Sequence, residues 1–232
     1  MRKPQAGFTL IEIAIVLVII GLLLGGVLKG QELITSARVR NMISQQDGIK
    51  AAYFGFLDRF RALPGDYTQA TTNIAGATKN GDGNGRIELA NAAADVESTA
   101  AWEHLSRAGF INGTYTYNAT VSDATTPKNP YAVYMQLVHD GVFGQAAGVT
   151  GSPARHNLKT GAQIPVEIIA EVDRKIDDGA PYTGGFQMSI YAGNAASAPT
   201  EGVAAACTSA LAANGTWNAT NGQTNCGGAS LF

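Results

Sequence analysis

An α+β fold is predicted for this chain: a long N-terminal helix packed on a head built around an antiparallel sheet. Three observations predict it. An apolar run of 21 residues from Phe8 to Leu28 is interrupted only by Glu12. An amphipathic pattern continues that run to about Ala62. A Gly-, Ala-, Thr- and Asn-rich remainder then carries one short helical pattern followed by several strand-like runs.

The apolar run is long enough to matter by itself. At helical rise it spans roughly 30 Å, the thickness of a bilayer hydrocarbon core. A lone carboxylate in such a run is costly and usually functional, which singles out Glu12. The short basic stretch ahead of it, with Arg2 and Lys3, favours a cytoplasmic N-terminus. Gly21, Gly25, Gly26 and Gly30 form two overlapping small-xxx-small spacings that let helices approach closely.

From Leu33 onward the apolar residues recur at three- and four-residue intervals through Ile34, Ala37, Val39, Met42, Ile43, Ile49, Ala52, Tyr53, Phe56, Leu57 and Phe60. Charged and amide residues fill the spaces, as in a helix with one buried face. Leu63-Pro64-Gly65-Asp66 stops it, because proline lacks the amide hydrogen and glycine permits a turn. The reading is therefore a leader over 1–7, a membrane-spanning helix over 8–28, its amphipathic continuation over 29–62 and a head over 63–232.

Within the head, 68–99 is a long connection with little periodicity. Residues 99–110 carry Trp102, Leu105 and Phe110 on one helical face. Strand-like runs are 115–121, 131–138, 164–170 and 186–191. The composition suits an exported, loop-rich β domain better than a helical enzyme. Charged residues make up 15% and the formal net charge is −2, falling to −4 if Arg2 and Lys3 leave with a leader. No basic patch exists to neutralise phosphates, so there is no nucleic-acid footprint. His104, His139 and His156 lie in unrelated contexts, with no catalytic spacing around them, and no enzyme is predicted.

An ordinary secretory signal has its small-residue cleavage site after the apolar core. Here Gly7 comes before it, in Gly7-Phe8-Thr9-Leu10-Ile11-Glu12. That order resembles the prepilin signal of type IV pilins and type II secretion pseudopilins. The resemblance implies that prepilin peptidase cuts after Gly7 and that Phe8 becomes the N-methylated first residue. It also implies that Glu12 pairs with the amine of a neighbouring Phe8 during assembly. Where the family often has a proline that lets the helix unwind, this chain has Lys29. Two inner segments, 56–66 (FLDRFRALPGD) and 171–185 (EVDRKIDDGAPYTGG), resemble a subgroup of large prepilin-like proteins.

The implied function is a structural subunit of a type IV pilus or a type II secretion pseudopilus. Its partners would be copies of itself, other pilins or pseudopilins, prepilin peptidase, the inner-membrane assembly platform and membrane lipid. Its place would be the bacterial inner membrane, single-pass with a periplasmic head, and then the pilus or pseudopilus. The alternatives are a minor or tip subunit acting as a binding or adhesion module and, further off, a membrane-anchored periplasmic enzyme.

Cys207 and Cys226, with 18 residues between them, are expected to form a disulfide in an exported chain. C-terminal disulfide loops are also common in type IV pilins. No cofactor is expected beyond a possible structural calcium. The stretch Asn80 to Asn91 places oxygen side chains at calcium-loop positions 1, 3, 5, 9 and 12 through Asn80, Asp82, Asn84, Glu88 and Asn91, with Gly85 at position 6. Only Asp82 and Glu88 carry charge, so Asp66, Asp95 or Glu97 would have to fold in. A second acidic cluster, Asp173, Asp177 and Asp178, reads as a charged turn between two strands, with Asp178-Gly179 a hairpin signal, in preference to a ligand or metal site. Trp102 and Trp217 read as packing residues.

Overall fold

The computed structural model describes residues 9–90, 95–144, 153–199, 206–210 and 214–232. The chain divides after Arg38 into an N-terminal helical unit and a head that begins at Val39. Helix α1 runs Leu10–Phe60. Up to Lys29 every described residue of it is exposed, and this half is long and apolar enough to cross a membrane. In the head its buried residues are Val39, Met42, Gln46, Ile49, Ala52, Tyr53 and Phe56. The helical period is as the sequence predicts, but the buried stripe opens at Val39, because Leu33 and Ile34 are exposed.

Arg61 takes a left-handed conformation directly after α1, and Pro64 and Gly65 complete the stop. A short helix α2 (Ala70–Asn73) and helix α3 (Glu97–Arg107) follow. The strands are β1 (Gln136–Asp140), β2 (Arg155–Lys159), β3 (Phe186–Met188) and β4 (Gly228–Leu231), with helix α4 (Val166–Ile176) between β2 and β3. They form one antiparallel sheet in the order β1-β2-β4-β3, with Leu137 opposite Leu158, Leu158 opposite Ser230, and Ser230 opposite Phe186.

Two hydrophobic clusters fill the head. One gathers Val39 and Met42 with α4, Phe186, Met188, Trp217 and the two cysteines. The other gathers Ile49, Ala52, Tyr53 and Phe56 with Trp102, Leu105, Met135, Leu137 and Leu158. Both tryptophans pack, as expected.

Three sequence expectations need correcting. Residues 164–170 are not a strand: α4 starts after Pro165, whose fixed φ suits a helix start, and the β-branched Val166, Ile168 and Ile169 face the core from helical positions. Residues 115–121 form no strand, and their backbone closes instead in a loop with Thr116 N–H donating to Ala124 O at 2.9 Å. The Asp173 cluster is not a turn between strands, since Asp173 lies inside α4 and Asp177 ends it. The run at 131–138 is strand only from Gln136, and 186–191 only to Met188.

The central strands β2 and β4 have no sequence signal. Arg155-His156-Asn157-Leu158-Lys159 is polar, yet Asn157 and Lys159 are buried, with Lys159 Nζ paired to Asp140. Gly228 opens β4 because the Phe186 ring lies where its Cβ would be, 2.3 Å away.

Cys207 and Cys226 are bonded to each other, as expected, and both are fully buried. Closing a loop of this length stabilises by about 3 kcal/mol in the chain-entropy model. Reduction should therefore lower the melting temperature by several degrees in thermal unfolding with and without a thiol reductant. Both sulfurs should resist alkylation, in the folded and the unfolded chain alike, until a reductant breaks the bond, which peptide mapping can check.

Candidate functional site

The N-terminal signal comes first. Gly7 and Phe8 lie outside the described residues. Thr9 stands just ahead of α1, and its N–H and Oγ1 donate to Glu12 Oε2 at 2.8 and 2.6 Å. Glu12 N–H in turn lies 3.4 Å from Thr9 Oγ1. Thr-x-x-Glu with these reciprocal bonds is a capping box, which satisfies helix-end amides that would otherwise be orphaned. The one carboxylate of the apolar run is thus bonded within its own chain.

The second region is the loop that begins at Asn80. Asp66, from the stop after α1, reaches into it and organises it. Its Oδ1 accepts from Gly83 N–H at 2.7 Å and Asn84 N–H at 2.9 Å, and its Oδ2 from Gly85 N–H at 2.9 Å. Glu97, at the start of α3, closes the other side, with Oε1 accepting from Asp82 N–H and Oε2 from Glu88 N–H, both at 3.1 Å. Gly81 lies so close to Asp66 that a Cβ there would come within 2.3 Å of its Cα, so only glycine fits.

The predicted residues divide. Asp82, Asn84 and Glu88 come together, since Asn84 Nδ2 donates to Asp82 Oδ2 and to Glu88 Oε2 at 3.1 Å each. Asn84 therefore offers its amide hydrogens, not its oxygen, to those carboxylates. Asn80 turns away, and its Oδ1 accepts from Thr71 N–H at 2.9 Å in α2. Asn91 lies outside the described residues. Of the acids that would have to fold in, Asp66 and Glu97 do, whereas Asp95 pairs with Lys79 Nζ at 2.6 Å.

Asp66, Asp82 and Glu97 each present a carboxylate oxygen within 4.8 Å of the others. Two oxygens on opposite sides of a calcium ion at ordinary ligand distance are separated by about that much. Asp66 and Glu97 are buried. Burial pushes the Asp66 carboxyl up, the Gly85, Gly83 and Asn84 amides oppose that, and Asp82 adds to the rise. These three acids fit a hard cation better than the Asn-rich set that the spacing alone suggests.

The histidines have structural explanations. His104 is buried between α3 and the loop, accepting from Gly65 N–H through Nδ1 at 2.9 Å and donating from Nε2 to Lys79 O at 2.8 Å. Burial holds it below its ordinary value, so it stays neutral in this tautomer. His139 and His156 face each other across β1 and β2 with ring centroids 4.7 Å apart. Burial, and then His139, push His156 down to about 4.

Residues 2–28 match the family described as the prokaryotic N-terminal methylation motif, which is the type IV pilin and pseudopilin signal. The match ends where the apolar run ends. No curated protein and no solved structure matches the chain.

The Asp66 geometry generates a test that needs no metal. Asp66→Ala should release three amides at once, and losing a buried, charge-assisted acceptor should cost about 2–4 kcal/mol. Amide hydrogen exchange at Gly83, Asn84 and Gly85 should accelerate more than in the core of α3.

Proposed function

We propose that this type IV pilin-like precursor is a structural subunit of a type IV pilus or a type II secretion pseudopilus. It is trimmed after Gly7 by prepilin peptidase and assembles through its N-terminal helix. The observation that carries the reading is the methylation motif over residues 2–28, placed directly against a helix of membrane-spanning length and hydropathy. The motif points to a structural subunit rather than an enzyme.

In this reading the apolar half of α1 holds the subunit in the inner membrane, with the head in the periplasm. Assembly then moves the helix into a filament core. Glu12 crosses between two low-dielectric settings, and the Thr9 bonds supply a partner within the chain during residence in the bilayer. In the filament the Phe8 amine of a neighbour replaces or joins them. Such a pair fixes register more than it stabilises. The size of the head, from Val39 to Phe232, favours a minor or tip position as the second reading. Immunogold labelling confined to filament ends would select it over a filament-length subunit.

Two measurements test the leading reading. N-terminal sequencing of the mature protein should begin at methylated Phe8, and an intact Met1 or a cut beyond Leu28 would refute it. Glu12→Val should be processed and retained in the membrane but should fail to enter sheared filaments. Wild-type incorporation of that variant would remove Glu12 from the assembly step.

We further propose that Asp66, Asp82 and Glu97 hold a structural calcium ion. The support is three carboxylates within one ion's reach, two of them buried. Asp82→Ala should lower the number of calcium ions bound by one, measured by equilibrium dialysis of the full chain in detergent. An unchanged number would return the loop to a turn organised by the Asp66 and Glu97 carboxylates through backbone amides.

A further inference from the structure

Asp173 is a fully buried carboxylate near the end of α4. Its Oδ2 accepts from Trp217 Nε1 at 2.7 Å, and its Oδ1, equally buried, has no hydrogen-bond partner. An orphaned carboxylate oxygen in a core is costly, because nothing replaces the water it has lost. The Gly179 amide opposes the rise in its pKa only weakly, from outside hydrogen-bonding geometry.

Two further acids stand beside it. Asp173, Asp177 and Asp178 each present a carboxylate oxygen within 4.8 Å of the other two. Their loop is built to hold them there. Asp177 Oδ2 accepts from Gly185 and Phe186 N–H, and Asp178 accepts from Ala180 N–H through Oδ1 and from Thr183 Oγ1 through Oδ2. A Cβ on Gly184 would come within 2.0 Å of Asp177 Oδ2, so the backbone closes tightly around that carboxylate.

The two cations on α4 pair with another acid, and Lys50 acts on Asp177 only at longer range. Arg174 Nη1 and Lys175 Nζ both pair with Glu171, at 2.9 and 3.1 Å. Lys50 lies near enough to feel Asp177, with its ammonium 5.8 Å from the centre of the Phe232 ring. Three negative charges therefore share a few ångströms without an ion pair of their own among the described residues.

We propose that Asp173, Asp177 and Asp178 form a second calcium site, in which the cation meets the orphaned Asp173 oxygen and joins α4 to the loop before β3. The ligand class follows from the donors: an all-oxygen, triply anionic set suits calcium better than zinc, which takes nitrogen and sulfur, or magnesium, which keeps several waters. Through Trp217 the same carboxylate touches the disulfide loop between Cys207 and Cys226, so one ion braces three segments. Burial, followed by the charges of Asp178 and Asp177, pushes Asp173 up to about 6 despite the Trp217 bond.

The test uses the full chain in detergent at pH 7.5, with calcium chloride up to about 5 mM, which covers the affinity range of extracellular calcium modules. In the Asp82→Ala background, which removes the loop site proposed above, one calcium ion should still bind and raise the melting temperature. Adding Asp178→Asn, at an exposed position that should fold, should weaken that binding roughly tenfold or more. Asp173→Asn supplies the second arm. In chelator it should melt no lower than wild type, since a repelled buried charge is gone, and in calcium it should melt below wild type. Absence of calcium binding in the Asp82→Ala background, or binding unaffected by Asp178→Asn, would overturn the site. So would a lower melting temperature for Asp173→Asn in chelator and calcium alike, which would make the carboxylate a purely structural acceptor.

Discussion

Both hydrophobic clusters of the head close on one stripe of α1, and the rest of the head depends on that stripe. Val39 and Met42 anchor the cluster that contains α4, Trp217 and the disulfide. Ile49, Ala52, Tyr53 and Phe56 anchor the cluster that contains α3, β1 and β2. The four strands are three to five residues long, too short for a stable sheet without a helix to pack against. The helix supplies that surface, and a strict three- and four-residue spacing keeps it on one face.

With so little regular structure, most of the head's backbone has to find partners outside helix and ladder. Buried acids on or beside helices supply many of them. Asp66 takes the amides of three loop residues, and Glu97 takes two more. Glu103, fully buried on α3, accepts from Thr78 N–H, Thr78 Oγ1, Lys79 N–H and Tyr117 N–H. Each is a charge-assisted bond, stronger than its neutral counterpart, and each ties a loop to a rigid element. The acids do in this head what longer strands do in a regular sheet.

This organisation explains what the sequence reveals and what it hides. α1, its stop at Pro64-Gly65 and the methylation signal are legible because their determinants are local: an apolar run, a period and a punctuating pair. The helix at 166–176 is hidden because Val166, Ile168 and Ile169 are β-formers whose helical state is set by packing against Phe186 and Met188. β2 and β4 are hidden because a polar central strand and a Gly-Ala-Ser strand owe their state to their neighbours, through Lys159 with Asp140 and Gly228 under Phe186. The loop at 80–88 is half legible. Its Gly/Asn spacing marks a sharp turn, but the acids that organise it arrive from 14 residues before Asn80 and from α3, so a reading along the chain assigns Asn80 a role that Asp66 fills.

The two acidic triads differ in one respect that decides their physics. In the triad of Asp66, Asp82 and Glu97, both carboxylate oxygens of each buried acid accept backbone amides. Those dipoles already compensate part of the charge. In the triad of Asp173, Asp177 and Asp178, the buried member keeps one oxygen with no donor, and its neighbours spend theirs on shaping the loop. Burial raises the carboxyl pKa at both buried acids; three backbone amides oppose the rise at Asp66, whereas at Asp173 the Trp217 bond opposes it and two neighbouring carboxylates add to it, so the sites differ in how much of the charge is compensated. The first is a loop whose buried charges are largely met by amides. The second is an excess of negative charge with one unmet oxygen, and it stands where α4, the loop before β3 and the disulfide loop meet.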